Sequence, residues 1–167
     1  MPMLLLSTEK FRGYSLLQSA VALGVMALGM IFLVPRLDDL IDEAYQAHVK
    51  AVGSALQMGA HMYHKVWMTD RNSPSLTEID MTDSGWPAGR KEESGSSSAV
   101  TQADRCTGLW KSLLDIEVPT LTTGKDVTAD FRVEYVEGHC RYYHQLSNDR
   151  YYIEYNAATG RVSWNIR

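Results

Sequence analysis

An α+β fold, with a long N-terminal helix packed on a C-terminal antiparallel β-meander, follows from three patterns in the 167-residue sequence. Residues 13–35 carry no charged side chain, and residues 36–68 contain no proline and repeat apolar side chains at helical spacing. Residues 131–166 alternate apolar and polar positions between turn signals, as half-buried strands do. With 45% hydrophobic and 22% charged residues and a formal net charge of −4, the chain suits one domain of ordinary size and excludes a large multidomain enzyme. Its slightly negative mean hydropathy excludes a multi-span membrane protein. Sixteen basic residues against 20 acidic ones argue against nucleic-acid binding driven by bulk charge. Four Trp, nine Tyr and three Phe demand burial, which argues against a disordered chain.

The first element is the charge-free run. Its 23 residues, bracketed by Arg12 and Arg36, are long enough as a helix to cross a bilayer core, at roughly 34 Å. Only Ser15, Gln18 and Ser19 are notably polar, and all lie near its start. Lys10 and Arg12 precede the run, while Asp38, Asp39, Asp42 and Glu43 follow it. The positive-inside bias predicts a cytoplasmic N-terminus and a single pass that carries everything beyond Arg36 across the membrane. A cleaved secretory signal fits poorly: the run is too long, and the candidate cleavage site Ala27-Leu28-Gly29 lies inside it. A plain signal anchor and processing ahead of the run remain, and the local residues favour the second.

Those residues are Lys10-Phe11-Arg12-Gly13-Tyr14-Ser15-Leu16-Leu17-Gln18: a basic leader ending in Gly, an aromatic residue, Ser-Leu-Leu, a polar side chain and then the apolar helix. This run resembles the type IV prepilin signature. The resemblance implies a leader at 1–13, cleavage between Gly13 and Tyr14 by a prepilin peptidase, and N-methylation of Tyr14. A glycine without a side chain suits an extended backbone in a protease cleft. Pro35 falls where pilins commonly have a helix-kinking proline; inside a helix it removes one hydrogen bond and crowds the preceding turn. At Gln18 the family usually has glutamate, thought to neutralise the methylated amine of an adjoining subunit. An amide accepts hydrogen bonds but carries no charge, which favours a minor or tip-proximal subunit over the bulk pilin.

After the membrane half (14–35) comes an amphipathic half (36–68). Leu37, Ile41, Ala44, His48, Ala51, Ala55, Gly59, Met62 and Val66 define the expected apolar stripe, widened by Leu40, Val52 and Leu56. The remaining 69–167 form the expected head. Its first part, 70–105, reads as turns and loops, with Asn72-Ser73-Pro74, Asp83-Ser84-Gly85-Trp86-Pro87 and a serine-rich stretch at 94–98. A short helix is expected over 103–114, since Leu109, Trp110, Leu113 and Leu114 make one apolar face, with Pro119 and Gly124 beyond it. Strands are expected at 131–135, 140–146, 151–155 and 161–166, and strand-on-helix packing would hide the helix stripe and one sheet face together. In pilins this arrangement is a lollipop, with 70–105 matching the variable αβ-loop. Glu154-Tyr155, the 158–162 turn, Gly85-Trp86-Pro87-Ala88, Cys106 to Trp110 and Cys140-Arg141-Tyr142 are similar to minor pilins of the mannose-sensitive haemagglutinin (MSHA) type, the MshB-like group.

Cys106 and Cys140 are the two cysteines, and both fall in the part placed outside the cytoplasm. An even pair in an oxidising compartment reads as a disulfide, with free thiols or a metal pair as the alternatives. A bond closing about 35 residues is worth roughly 3–4 kcal/mol in the chain-entropy account. Pilins often carry a head disulfide, frequently nearer the C-terminus than this one. His61 and His64 share a helix face and His139 and His144 flank Cys140, but no HExxH pattern or third ligand accompanies either pair. No GxSxG, P-loop or dinucleotide-binding turn is present, so catalysis finds no support and no cofactor is implied. Asp38, Asp39, Asp42 and Glu43 read as the solvated start of the amphipathic half, where neighbouring subunits could offer basic partners. Arg132, Arg141, Arg150, Arg161 and Arg167 interleave with tyrosines, either as a solvated sheet face or as a face that stacks sugars or bases.

The expected function is a non-enzymatic minor pilin subunit with a possible adhesive head. The resemblance implies as partners other pilin subunits, the prepilin peptidase, an assembly platform and the inner membrane, with the head periplasmic and then on a cell-surface pilus. The alternatives are a pseudopilin of a type II secretion system and a membrane-anchored periplasmic ligand-binding module.

Overall fold

The computed structural model describes residues 16–91, 101–114, 118–124 and 128–166. They form two compact units divided between Ile41 and Asp42. The first contains the N-terminal part of helix α1 (Leu16–Thr69), and α1 is helical on both sides of Pro35. In unit 1, residues 18–34 expose apolar side chains in every direction, and none of that apolar stretch is buried.

The second unit holds the rest of α1, a two-stranded hairpin of β1 (Ile79–Met81) and β2 (Pro87–Arg90), helix α2 (Gln102–Leu113) and a five-stranded sheet. The sheet runs β3 (Leu121–Thr122), β4 (Phe131–Val136), β5 (His139–His144), β6 (Tyr151–Asn156) and β7 (Arg161–Ile166) in chain order. The period-2 pattern sets which side chains go inward. Phe131 and Val133, Cys140, Tyr142 and His144, and Tyr151, Ile153 and Tyr155 are buried, while their neighbours face out. α2 starts where the sequence offers a capping box, the Thr101 hydroxyl accepting from the Asp104 N–H and the Asp104 carboxylate accepting from the Thr101 N–H.

Four corrections to the sequence reading concern packing. The buried face of α1 in this unit is Val49, Val52, Leu56 and Ala60, with Tyr45 and Tyr63 packed against the core; it keeps Val52 and Leu56 of the expected stripe and is otherwise rotated by about one residue. Ile41, Ala44, Ala51, Ala55 and Met62 are exposed instead. Both faces have helical spacing, and a face carrying Val49, Val52 and Leu56 removes more apolar area from water than one carrying Ala44, Ala51 and Ala55. The hairpin β1–β2 lies within the stretch read as loop; its strands are too short to show periodicity. The sheet is not wholly an antiparallel meander, because β3 pairs with β4 in parallel. That edge is held by polar chemistry: the Thr120 N–H and hydroxyl both donate to Asp130 Oδ2, and the Asp130 N–H donates to Thr120 Oγ1 at 2.8 Å. Finally, β5 stops at His144, and a 3-10 turn (Gln145–Ser147) takes up residues expected to extend the strand.

One core unites these elements. Trp110 lies 4.5 Å from Tyr142 and 5.2 Å from Phe131 between ring centroids, and its indole N–H donates to Pro119 O. Gly59 lets α2 approach α1, since any side chain there would strike Leu113 O. The buried Tyr155 hydroxyl donates to Pro87 O at 2.7 Å, tying the sheet to the hairpin. Burial pushes the Tyr142 and Tyr155 phenols up, which keeps both neutral donors.

Candidate functional site

Unit 1 is itself the first candidate site. Phe32 is 75% and Ile31 66% exposed, and Val25, Met26 and Leu28 cover the other faces of the same turns. A helix apolar on every side is a core or membrane element, because each exposed Leu, Ile or Phe leaves about 1.5–3 kcal/mol of burial unrealised. This helix is long and apolar enough to span a membrane. Gln18 sits in its first turns, exposed, and Pro35 lies near its far end. Gly13 and Tyr14, with the rest of the leader, lie outside the described residues.

At the start of unit 2 the Asp42 carboxylate gathers what the sequence did not connect. It accepts from the Tyr151 hydroxyl at 2.6 Å and the Arg150 guanidinium at 2.7 Å, with Gln46 one turn on at 3.4 Å. The Tyr151 hydrogen bond, helped by Arg150 and Gln46 and opposed by burial, holds the Asp42 carboxyl below the usual carboxylate range. The sequence reading left Asp42 solvated. Only its i, i+4 spacing to Gln46 was visible; Arg150 is 108 residues away.

One turn further, Tyr45 and His48 reach His144, with ring centroids 5.1 and 5.5 Å away. His144 is buried and its Nδ1 has no hydrogen-bond partner among the described residues. Burial, reinforced by His48 and opposed by Asp130, pushes its imidazole down, so it packs as a neutral ring.

The other histidines serve packing. His64 stacks on Trp86 at 3.9 Å and makes a 2.7 Å hydrogen bond to Gly85 O, while His61 meets Trp86 edge-on. Arg71 covers one face of Trp67, and Gly85 and Gly160 sit directly against Trp67 and Trp86, where side chains would clash. His139 bonds Asn156 and lies 3.3 Å from Glu154. Among the described residues no group of three His, Cys, Asp or Glu side chains is placed to hold a metal ion.

The arginine–tyrosine face is a grid set by strand register. Arg132, Tyr143, Tyr152 and Asn165 form one row, and Glu134, Arg141, Glu154 and Ser163 the next. Arg132 covers Tyr143 and Arg141 covers Tyr152, each 4.9 Å from the ring centroid. Arg132 pairs with Glu134 and Asp149, and Arg141 donates twice to Glu154. The hydrogen bonds to Tyr143 and Glu154 raise the Arg141 guanidinium further above its already high value. The guanidinium groups of Arg132 and Arg141 are therefore paired within this face and cover the Tyr143 and Tyr152 rings, while Asp149 Oδ1 is buried with no hydrogen-bond partner among the described residues. Arg161 stands exposed at the start of β7, and Arg167 lies outside the described residues.

Cys106 and Cys140 are bonded, with Cα atoms 5.6 Å apart, joining α2 to β5. The Tyr142 hydroxyl donates to Cys106 O at 2.9 Å beside the bridge, so the same two elements are linked twice. The chain matches no protein-family model, no curated protein and no solved structure.

Proposed function

We propose that this chain is a minor subunit of a type IV pilus-like filament, cut after Gly13, methylated at Tyr14 and held by its N-terminal helix first in the inner membrane and then among neighbouring helices. The observation that carries this reading is the contrast between residues 18–34, apolar and exposed on every face, and a second unit with its own packed core. Such a helix needs lipid or like helices around it, and exchange between the two conserves its apolar burial. The prepilin-like run at 10–18 supplies the processing step. Gln18 in place of glutamate supports a minor rather than a bulk role, and the outward-facing head would be periplasmic before assembly. No reaction of its own is required, because the chemistry belongs to the peptidase and methyltransferase.

N-terminal mass spectrometry of the mature protein tests this directly. The expected first residue is methylated Tyr14, and Gly13→Trp should leave the precursor uncut. A mature chain beginning at Met1 would remove the pilin reading and leave a plain anchor. The minor-subunit part has its own test: Gln18→Glu should change the amount entering filaments, and equal incorporation would overturn it.

A further inference from the structure

A groove of about 390 Å³ opens on the second unit where the end of α1, the 3-10 turn Pro74–Leu76, the β1–β2 hairpin and the last turns of α2 meet. Tyr63, Pro74 and Ile79 supply an apolar side, and Glu78, Arg90 and Lys111 supply charge of both signs. Two of its hydroxyls are already used by backbone, Thr77 on Pro74 O and Ser112 on Gly108 O. The charged groups are not all matched. Arg90 and Glu78 make a single contact at 3.1 Å through Glu78 Oε2, which leaves Oε1 without a partner among the described residues. Lys111 has no carboxylate partner among them.

The walls are set by packing rather than by the ligand. Gly108 of α2 lies against Arg90, whose Cβ would be 2.9 Å from an added side chain, so α2 and β2 are in close contact. Lys91 reaches Leu76 O at 3.4 Å and ties the hairpin to the 3-10 turn. A preformed groove loses little on binding to ordering.

We propose that this groove binds a small zwitterion of free amino-acid size, with its carboxylate at Lys111 and Arg90, its ammonium at Glu78 and its side chain against Tyr63, Pro74 and Ile79. A polyanion is disfavoured by Glu78 and by the net charge of −4. A wholly apolar ligand would desolvate three charged groups without return. A neutral polyol would leave Lys111 unmatched. The volume sits at the lower end of the range for small-molecule sites, which suits an amino acid. The proposal stands independently of the filament reading, since it uses only residues of the second unit.

The test is a titration of the full chain in detergent micelles, followed at the Ile79 methyl group by NMR, with L-leucine, N-acetyl-L-leucine, L-leucinamide and glucose as probes. Leucine should give a saturable shift with a Kd of about 1–10 mM, and loss of either ligand charge should weaken it by about three- to fivefold. Lys111→Met should abolish the advantage of leucine over leucinamide, and Glu78→Gln its advantage over the N-acetyl form. Both side chains are exposed, so neither change should alter thermal unfolding. The proposal is overturned if leucine gives no saturable shift up to about 100 mM. Equal binding of glucose, or preferences unchanged in both variants, would overturn it as well.

Discussion

The two stretches of α1 on either side of Ile41 share one secondary structure and differ in everything else. Residues 18–34 expose their large apolar side chains, Phe32 to 75%, whereas Val49, Leu56 and Ala60 in the later stretch are fully buried. Residues 18–34 have no polar face and, among the described residues of their own unit, no tertiary partner; the later stretch has a narrow apolar face, charged flanks and a sheet to cover it. One secondary structure therefore serves two kinds of surroundings, and side-chain distribution selects which. Asp42 stands where the change occurs, its carboxylate bound to Arg150 and Tyr151 of the second unit.

The largest expected effect separates the two stretches by attacking only the core. Trp110→Ala removes a fully buried ring and its hydrogen bond to Pro119 O and should destabilise the head by about 3–5 kcal/mol in chemical denaturation. Reduction of Cys106–Cys140, or replacement of both residues by Ser, should cost roughly 2–4 kcal/mol in the same measurement. A charge in the first stretch should do the reverse. Leu28→Arg should disfavour membrane insertion by about 3–4 kcal/mol in a glycosylation-reporter assay. It should leave head unfolding unchanged, and a shift in head unfolding would break the comparison.

Acid should act on the second stretch next. Because burial depresses the His144 pKa, the unfolded chain takes up the proton first as pH falls. The stability that depends on neutral His144 is therefore full above its ordinary value of about 6.5 and is lost as pH falls through the folded value, at no more than ~1.4 kcal/mol per pH unit. His144→Phe should flatten the melting temperature against pH, and an unchanged slope would count against this assignment. The smallest effect is expected at Asp42. Its depressed pKa places its contribution above about 3.8, with loss at lower pH. Asp42→Asn should lower the melting temperature slightly at neutral pH and remove part of the acid-induced decline.

Much of this architecture was legible, and the misses have a common origin. Alternation located β4 through β7 to within two residues because each of those strands buries one face only. The apolar run was unmistakable for the same kind of reason: 23 residues without charge admit few environments. On α1 the sequence points to Val52 and Leu56 but centres the stripe one residue away, because Ala44, Ala51 and Ala55 repeat at helical spacing too, and spacing alone does not weigh side-chain size. The β1–β2 hairpin and β3 were invisible because two to four residues cannot display a period, and their positions depend on Tyr155 reaching Pro87 and Asp130 reaching Thr120. Of the candidate sites, the cysteine pair and the apolar helix were readable from chemistry and length. The Asp42–Arg150–Tyr151 cluster and the groove around Lys111 were not, since each unites residues far apart in the chain.

The sequence by itself determined which segments are helix or long strand, which segment needs a nonaqueous or helical neighbourhood, and which cysteines are available to pair. These properties rest on local periodicity, charge and residue chemistry. Only the tertiary structure decided which side of α1 is centred on the core, that β3 joins β4 in parallel, that Arg132 and Arg141 are paired within their own sheet face, and that His144 is buried with no partner for Nδ1 among the described residues. Those outcomes depend on competition between distant groups for one core and on desolvation, which act only after the chain has brought its segments together.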